Sequence, residues 1–252
     1  MLKHASRLQA ASLNTFALVL CIVAHCAARG QSSSALQPAE FIQRIDAAVN
    51  ARFNGLAGYT VQEHYAIYRN GAKAPVAEMT VQTVYTQATG KEYTPLAESG
   101  SEFFRKTIIE KILANEHEIN LPANRAASWI TSSNYEMGVA PVRVTRNGHD
   151  CSLVTLKPRR KGPSLFIGRA WFDASDGTLV RLEGAPSQPP SFFAGDTTVS
   201  RDYVPLDGFA MASHAEAHSH SFLLGDTLLT IDYSGYQLQH APLTQAQNGG
   251  KH

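Results

Sequence analysis

The sequence predicts an α+β fold in which two or three amphipathic helices cover one face of a large, twisted antiparallel sheet. Three observations carry that expectation. Two segments, near 38–54 and 101–115, repeat apolar residues at helical spacing, period-two alternation fills much of the remainder, and turn residues punctuate it at short intervals. Short connections join antiparallel neighbours, whereas parallel strands need crossovers of about a dozen residues or more. No repeat of solenoid period occurs, and no linker is long enough to divide residues 38–240, so they are expected to form a single domain.

The chain starts with a secretory-signal layout over residues 1–30. Lys3 and Arg7 give a positive beginning, Phe16 to Ala24 an apolar run, and Ala24, Ala27 and Ala28 the small residues at which a signal peptidase would cut. The run falls short of the ~20 residues of a membrane-spanning helix. Cys26, after Val23-Ala24-His25, loosely resembles a lipoprotein box, with His25 where that pattern prefers a small residue, and is a candidate for lipidation. A flexible leader at 31–37 follows, and residues 241–252 read as a disordered tail. Cleavage would remove Lys3, Arg7 and Arg29, leaving 22 less three, or 19, basic residues against 21 acidic ones. A near-neutral chain of this kind argues against nucleic acid as a partner. Cleavage would also leave Cys151 as the one remaining cysteine, so that stability must come from burial rather than an internal disulfide.

Pro38 suits the first turn of a helix, and Phe41, Ile42, Ile45, Val49 and Phe53 share its buried face until Gly55 and Gly58 end it. From Tyr59 the period becomes two. Tyr59, Val61, Tyr65 and Ile67 form one row, and Met79, Val81 and Tyr85 the next, beyond a turn at Asn70-Gly71. Residues 101–115 return to helical spacing, with Phe104, Ile108 and Ile112 in one row and Arg105, Lys106, Glu110 and Lys111 opposite. A shorter helical piece starts at Pro122. From Val142 to Leu238 strand-like runs are separated by turns at Asn147-Gly148, 157–162, Ser175-Asp176-Gly177, 186–190, Asp207-Gly208 and Gly225-Asp226.

The stretch Gly168-Arg-Ala-Trp171-Phe-Asp173-Ala-Ser-Asp-Gly177-Thr-Leu-Val-Arg181-Leu-Glu183-Gly184 resembles a hairpin of outer-membrane lipoprotein-sorting proteins, the LolA/LolB-like superfamily. The order of elements is similar to that family as well, from the first helix through a helical insertion at 101–133 to a closing meander. The resemblance implies a sheet curled into an incomplete β-barrel, with amphipathic helices covering its concave face, and a half-barrel cavity for a lipid or the acyl chain of a lipoprotein. It implies an exported, periplasmic protein without a cofactor. Lining residues would then be Tyr65, Ile67, Met79, Val81 and Tyr85 on the first hairpin, Phe104, Ile108 and Ile112 on the covering helix, and Leu229, Ile231 and Tyr233 on the last strand. Trp171 or Phe172 would join them, according to strand register. The same residues would equally serve as ordinary core. The arginines Arg169, Arg181 and Arg201 receive no role.

Other constellations point less far. His214, Glu216, His218 and His220 alternate on one strand face. His218 and His220 are the candidate metal pair, the competing reading being a solvated outer face. Lys157 to Lys161 reads as a charged loop, and Glu110, Glu116, His117 and Glu118 as solvated charge at a helix end. Nucleophile elbows, P-loops, C-x-x-C and H-E-x-x-H runs are missing, so no catalytic residue is nominated. The sequence therefore favours a non-enzymatic lipid-binding envelope protein. A sensor or assembly module acting by protein contact is second, and a metal-dependent hydrolase third.

Overall fold

The computed structural model describes residues 37–162, 164–188, 196–221 and 225–242. The signal segment, Cys26, nearly all of the leader and residues 243–252 of the tail lie outside them. Helix α1 (Pro38–Gly55) begins with Pro at its first position, and the Gln37 amide donates to Glu40 Oε2 (3.4 Å). It passes directly into β1 (Leu56–Arg69), followed by β2 (Ala77–Thr86) and β3 (Gly90–Gly100). A helical segment comes next: α2 (Glu102–Phe104), a π-helical turn (Arg105–Ile109), α3 (Glu110–Asn120) and a 3-10 turn (Arg125–Ser128). Seven strands follow among the described residues: β4 (Tyr135–Arg146), β5 (His149–Pro158), β6 (Phe166–Asp173), β7 (Leu179–Pro186), β8 (Asp196–Leu206), β9 (Phe209–Ser221) and β10 (Gly225–His240). Asn70-Gly71, Asn147-Gly148 and Asp207-Gly208 take positive φ at both positions, the backbone that a tight hairpin requires.

All ten strands form one antiparallel sheet in the order β3-β2-β1-β10-β9-β8-β7-β6-β5-β4. The expected curl into an incomplete barrel is corrected here: the sheet is open. Among the described residues β3 pairs only with β2, β4 only with β5, and the two edges do not meet. The physical reason lies in the chain between them. Residues 101–134 are spent on helices laid over the sheet face rather than on a connection that would bring the edges together. Each edge is also broken by proline, Pro95 beside a register shift in β3 and Pro141 within one in β4.

Cross-strand partners share a face, so the register shows which side chains point together. One row runs Val154, Ala170, Leu182, Arg201, Ala215, Ile231, Tyr65 and Met79 from β5 to β2. That face carries the helices. α1 sets Phe41 and Ile45 among Tyr135, Val154, Leu156, Phe172 and Leu182. The helical segment sets Ile108, Ile109, Ile112 and Leu113 on Tyr65, Ile67, Met79, Val81, Leu229 and Ile231. The two apolar halves abut at Arg201, whose cross-strand partners are Leu182 and Ala215.

Candidate functional site

The layer between the sheet and the segment Glu102–Asn120 brings together most of the residues expected to line a lipid site. Tyr65, Ile67, Met79, Val81, Ile108, Ile112, Leu229 and Ile231 are all buried in one cluster, with Phe104 and Tyr233 packed against it. Tyr85 shares the face but belongs to a neighbouring group, its ring stacked on Tyr59 at 5.1 Å. Trp171 does not join them. Phe172 is the residue beneath α1, and Trp171 points to the opposite face with Cys151, Val180 and Leu153, flanked by the guanidinium groups of Arg146 and Arg169 at 5.3 and 5.2 Å.

This apolar layer has a polar centre. Glu116 of α3 accepts from Lys91 Nζ of β3 at 3.0 Å and lies 3.8 Å from Arg201 of β8, with side-chain exposures of 18%, 12% and 28%. Asn120 Nδ2 donates to the Glu116 carbonyl (2.7 Å), and the His117 ring donates to the Lys91 carbonyl (2.7 Å). Burial opposes the charge on Glu116, yet Lys91 and Arg201 outweigh it and hold the carboxyl down to about 2. Burial likewise opposes the charge on Lys91, and the facing Glu116 overrides it, keeping the ammonium well above its ordinary value. Tyr233 is pushed up by burial, against the pull of Arg201. The expectation of solvated charge at this helix end is therefore corrected for Glu116, which is an interior ion-pair acceptor.

Glu63 of β1 lies deeper still, 2% exposed, with Oε2 accepting from Tyr65 OH at 2.5 Å. Its Oε1, Thr83 Oγ1 and Tyr93 OH are buried without a partner among the described residues. Lys91, Tyr93 and Glu63 were missed as site residues by sequence reasoning. Glu63 had a readable signal, since it occupies an inward position of the alternation that runs Tyr59, Val61, Tyr65, Ile67. β3 had almost none, because Lys91, Glu92, Thr94 and Glu98 make it look like a loop.

The segment is fastened at its other end too. Arg105 donates to Glu98 (3.1 Å) and to the carbonyls of Ser99 and Gly100, and Arg69 lies 5.1 Å over the Phe104 ring. Past α3, Arg125 donates to the Gln87 carbonyl. The charged loop at 157–161 is used in docking: Arg159 donates to Ser132 O, and Arg160 to Asn134 Oδ1 and Ala127 O.

The histidine strand lies on the opposite sheet face. His214 contacts Asp232 (2.7 Å) and Glu216 (3.4 Å), His218 contacts Glu216 (3.5 Å), and His220 contacts Asp226 (2.5 Å). Among the described residues no group of three or more His, Cys, Asp or Glu side chains is placed to hold a metal ion. Burial raises the Cys151 thiol, which suits a small core residue rather than a nucleophile.

Fold and site together define an open-sheet α+β protein whose helices cover one face across an apolar layer with a charged centre. No family model matches the chain, and no curated protein matches it. Solved structures do. They include a DUF1329 family protein from Desulfovibrio piger, with 12% identity over 79% of this chain and 91% of that one and a TM-score of 0.43. A LolA superfamily protein from Nitrosomonas europaea has 11% identity over 82% and 96%, with a TM-score of 0.40. A putative outer membrane lipoprotein-sorting protein domain from Vibrio parahaemolyticus has 11% identity over 79% and 92%, with a TM-score of 0.45. The chain is similar in structure, at low identity, to proteins of the LolA/LolB-like and lipoprotein-sorting kind. Among the described residues no helix is long and apolar enough to cross a membrane.

Proposed function

We propose that this is an exported envelope protein that binds a lipid, or the acyl chain of a lipoprotein, non-covalently between the inward sheet face and the segment Glu102–Asn120. The observation that carries the reading is the match between two apolar surfaces. Ile108 and Ile112 lie on a floor of Tyr65, Ile67, Met79, Val81, Leu229 and Ile231, so a chain entering between them exchanges one apolar contact for another. Each buried methylene contributes about 0.8 kcal/mol, and six to eight of them give about 5–6 kcal/mol before ordering costs.

Polar contacts at both ends of the segment support a cover that can be displaced. Arg105 grips the β3 end and Glu116 grips Lys91 and Arg201, and water can take over such bonds when the helix moves. The charged, apolar and small-residue pattern of residues 1–30 supports export. Native mass spectrometry of protein purified from the envelope tests the reading: a reproducible lipid adduct is expected. Protein free of lipid, whose helix stays seated when acylated ligands are added, would instead favour a sensor or assembly module that works by protein contact.

A further inference from the structure

We infer that the polar centre of the covered face seats the head of the bound amphiphile, and that this head is a neutral hydrogen-bond donor, a hydroxyl or amide rather than a phosphate or carboxylate. The inference rests on the acyl-binding reading above and adds the chemistry of the ligand's polar end.

Buried polar atoms nearly always have partners. Among the described residues four buried side-chain atoms lack one, and beside Arg69 Nε they are Glu63 Oε1, Thr83 Oγ1 and Tyr93 OH, the last three on adjacent strands. Thr83 is the cross-strand partner of both Val61 and Tyr93, and Glu63 is the partner of Val81, so Glu63 and Thr83 are diagonal neighbours on the inward face. Glu63 is 2% and Thr83 0% exposed. Three such groups in one patch are a set of hydrogen-bonding positions ready for a ligand.

Their chemistry selects its type. A carboxylate oxygen only accepts, and the other oxygen of Glu63 is already taken by Tyr65, so the ligand must donate to Oε1. The two hydroxyls accept or donate. The formal charges of Lys91 and Arg201 are matched by those of Glu116 and Glu63, and both cations face Glu116. An anionic head would add an unmatched charge beside two carboxylates, which a buried site disfavours strongly. A hydroxyl or amide adds none. From this seat the tail follows β1 past Tyr65 to Ile67, a span of about 13 Å along the strand, under Ile108 and Ile112.

The test compares probes with one chain and different heads: monopalmitoylglycerol, palmitoyl lysophosphatidate and palmitate, titrated into the wild-type protein and into a Thr83→Val/Tyr93→Phe double variant. The wild type should bind monopalmitoylglycerol about tenfold or more tighter than either anion, a difference of about 1.4 kcal/mol. The double variant should bind monopalmitoylglycerol several-fold more weakly than wild type does, because two hydrogen-bonding positions for the head are lost, and so narrow its preference over the anions, which the carboxylates of Glu63 and Glu116 still disfavour. Tyr93→Phe alone serves if the double variant does not fold, and it should reduce the preference in the same direction. Equal or tighter binding of the anions by wild type overturns the head assignment and leaves acyl binding standing, as does an unchanged preference in the variants. Failure of the wild type to bind any probe overturns acyl binding itself, and the head assignment with it.

Discussion

Glu116 is a carboxylate held inside the protein by two cations, and its proton affinity makes that arrangement measurable. Its ordinary value is 4.5, and the folded state holds it at about 2. The folded form thus releases the proton more readily than the unfolded chain does, so the pair stabilises fully above about pH 4.5. That contribution disappears as pH falls through about 2, and it is on the order of 3 kcal/mol. Glu116→Gln should therefore lower the urea midpoint at neutral pH, leaving the positive charges of Lys91 and Arg201 without this counter-charge, and its deficit relative to wild type should shrink as the solution is acidified. A deficit that does not change with pH would contradict the ion-pair account. Thr83→Val makes the opposite prediction. Removing a buried hydroxyl that lacks a partner should raise the melting temperature of the ligand-free protein by about 2–4 °C, read by calorimetry. At this scale the sequence was partly legible. Glu63 interrupts an apolar row at an inward position, which marks it as an interior acid, whereas Glu116 lies among the exposed charges of a helix and only tertiary contact reveals that it turns inward.

At the scale of elements, the cover helix depends on the turn beneath its C-terminal end. Gly90 begins β3 with φ +83°, and a Cβ there would stand 2.7 Å from the Asn120 carbonyl oxygen and 2.9 Å from its carbon. Gly90→Ala should cost about 2 kcal/mol, from a left-handed backbone that disfavours a side chain and from a clash with backbone that has little room to yield. Chemical denaturation measures it. A change within about 0.5 kcal/mol would mean that α3 is not seated on this turn. Helix α1 and the first hairpin were legible because apolar residues recur along most of each element, Glu63 being the break in the row from Tyr59 to Ile67. The Trp171 hairpin was legible as a hairpin but not in register, since both Trp171 and Phe172 are apolar and alternation alone allows either to face the helices. Packing decides it: Phe172 adjoins Ala170 and Leu182 beneath Phe41 and Ile45.

At the scale of the whole molecule, the open sheet leaves two edges exposed. β4 carries Pro141 and Arg143 beside Val142, which is 67% exposed, and its pairing with β5 is interrupted from Val139 to Arg143. Proline and charge on an edge prevent pairing with another sheet. Replacing both, as Pro141→Val with Arg143→Val, should give concentration-dependent association in analytical ultracentrifugation under conditions where the wild type gives none. Alternation along each strand identified most of the inward face, but closure depends on accumulated twist and on how the chain joins its edges, neither of which leaves a residue pattern. The expectation of a curled barrel failed there, while the helix-covered face survived.

Uptake of an acyl chain by this covered face is measured most directly by titration calorimetry with monoacylglycerols of increasing chain length. Affinity should rise by about fourfold per added methylene, at about 0.8 kcal/mol each, until the layer under Ile108 and Ile112 is filled. Ile67→Asp, which places a charge on the floor of that layer, should abolish the rise. Affinity independent of chain length, or no binding at any length, would contradict acyl uptake by this face.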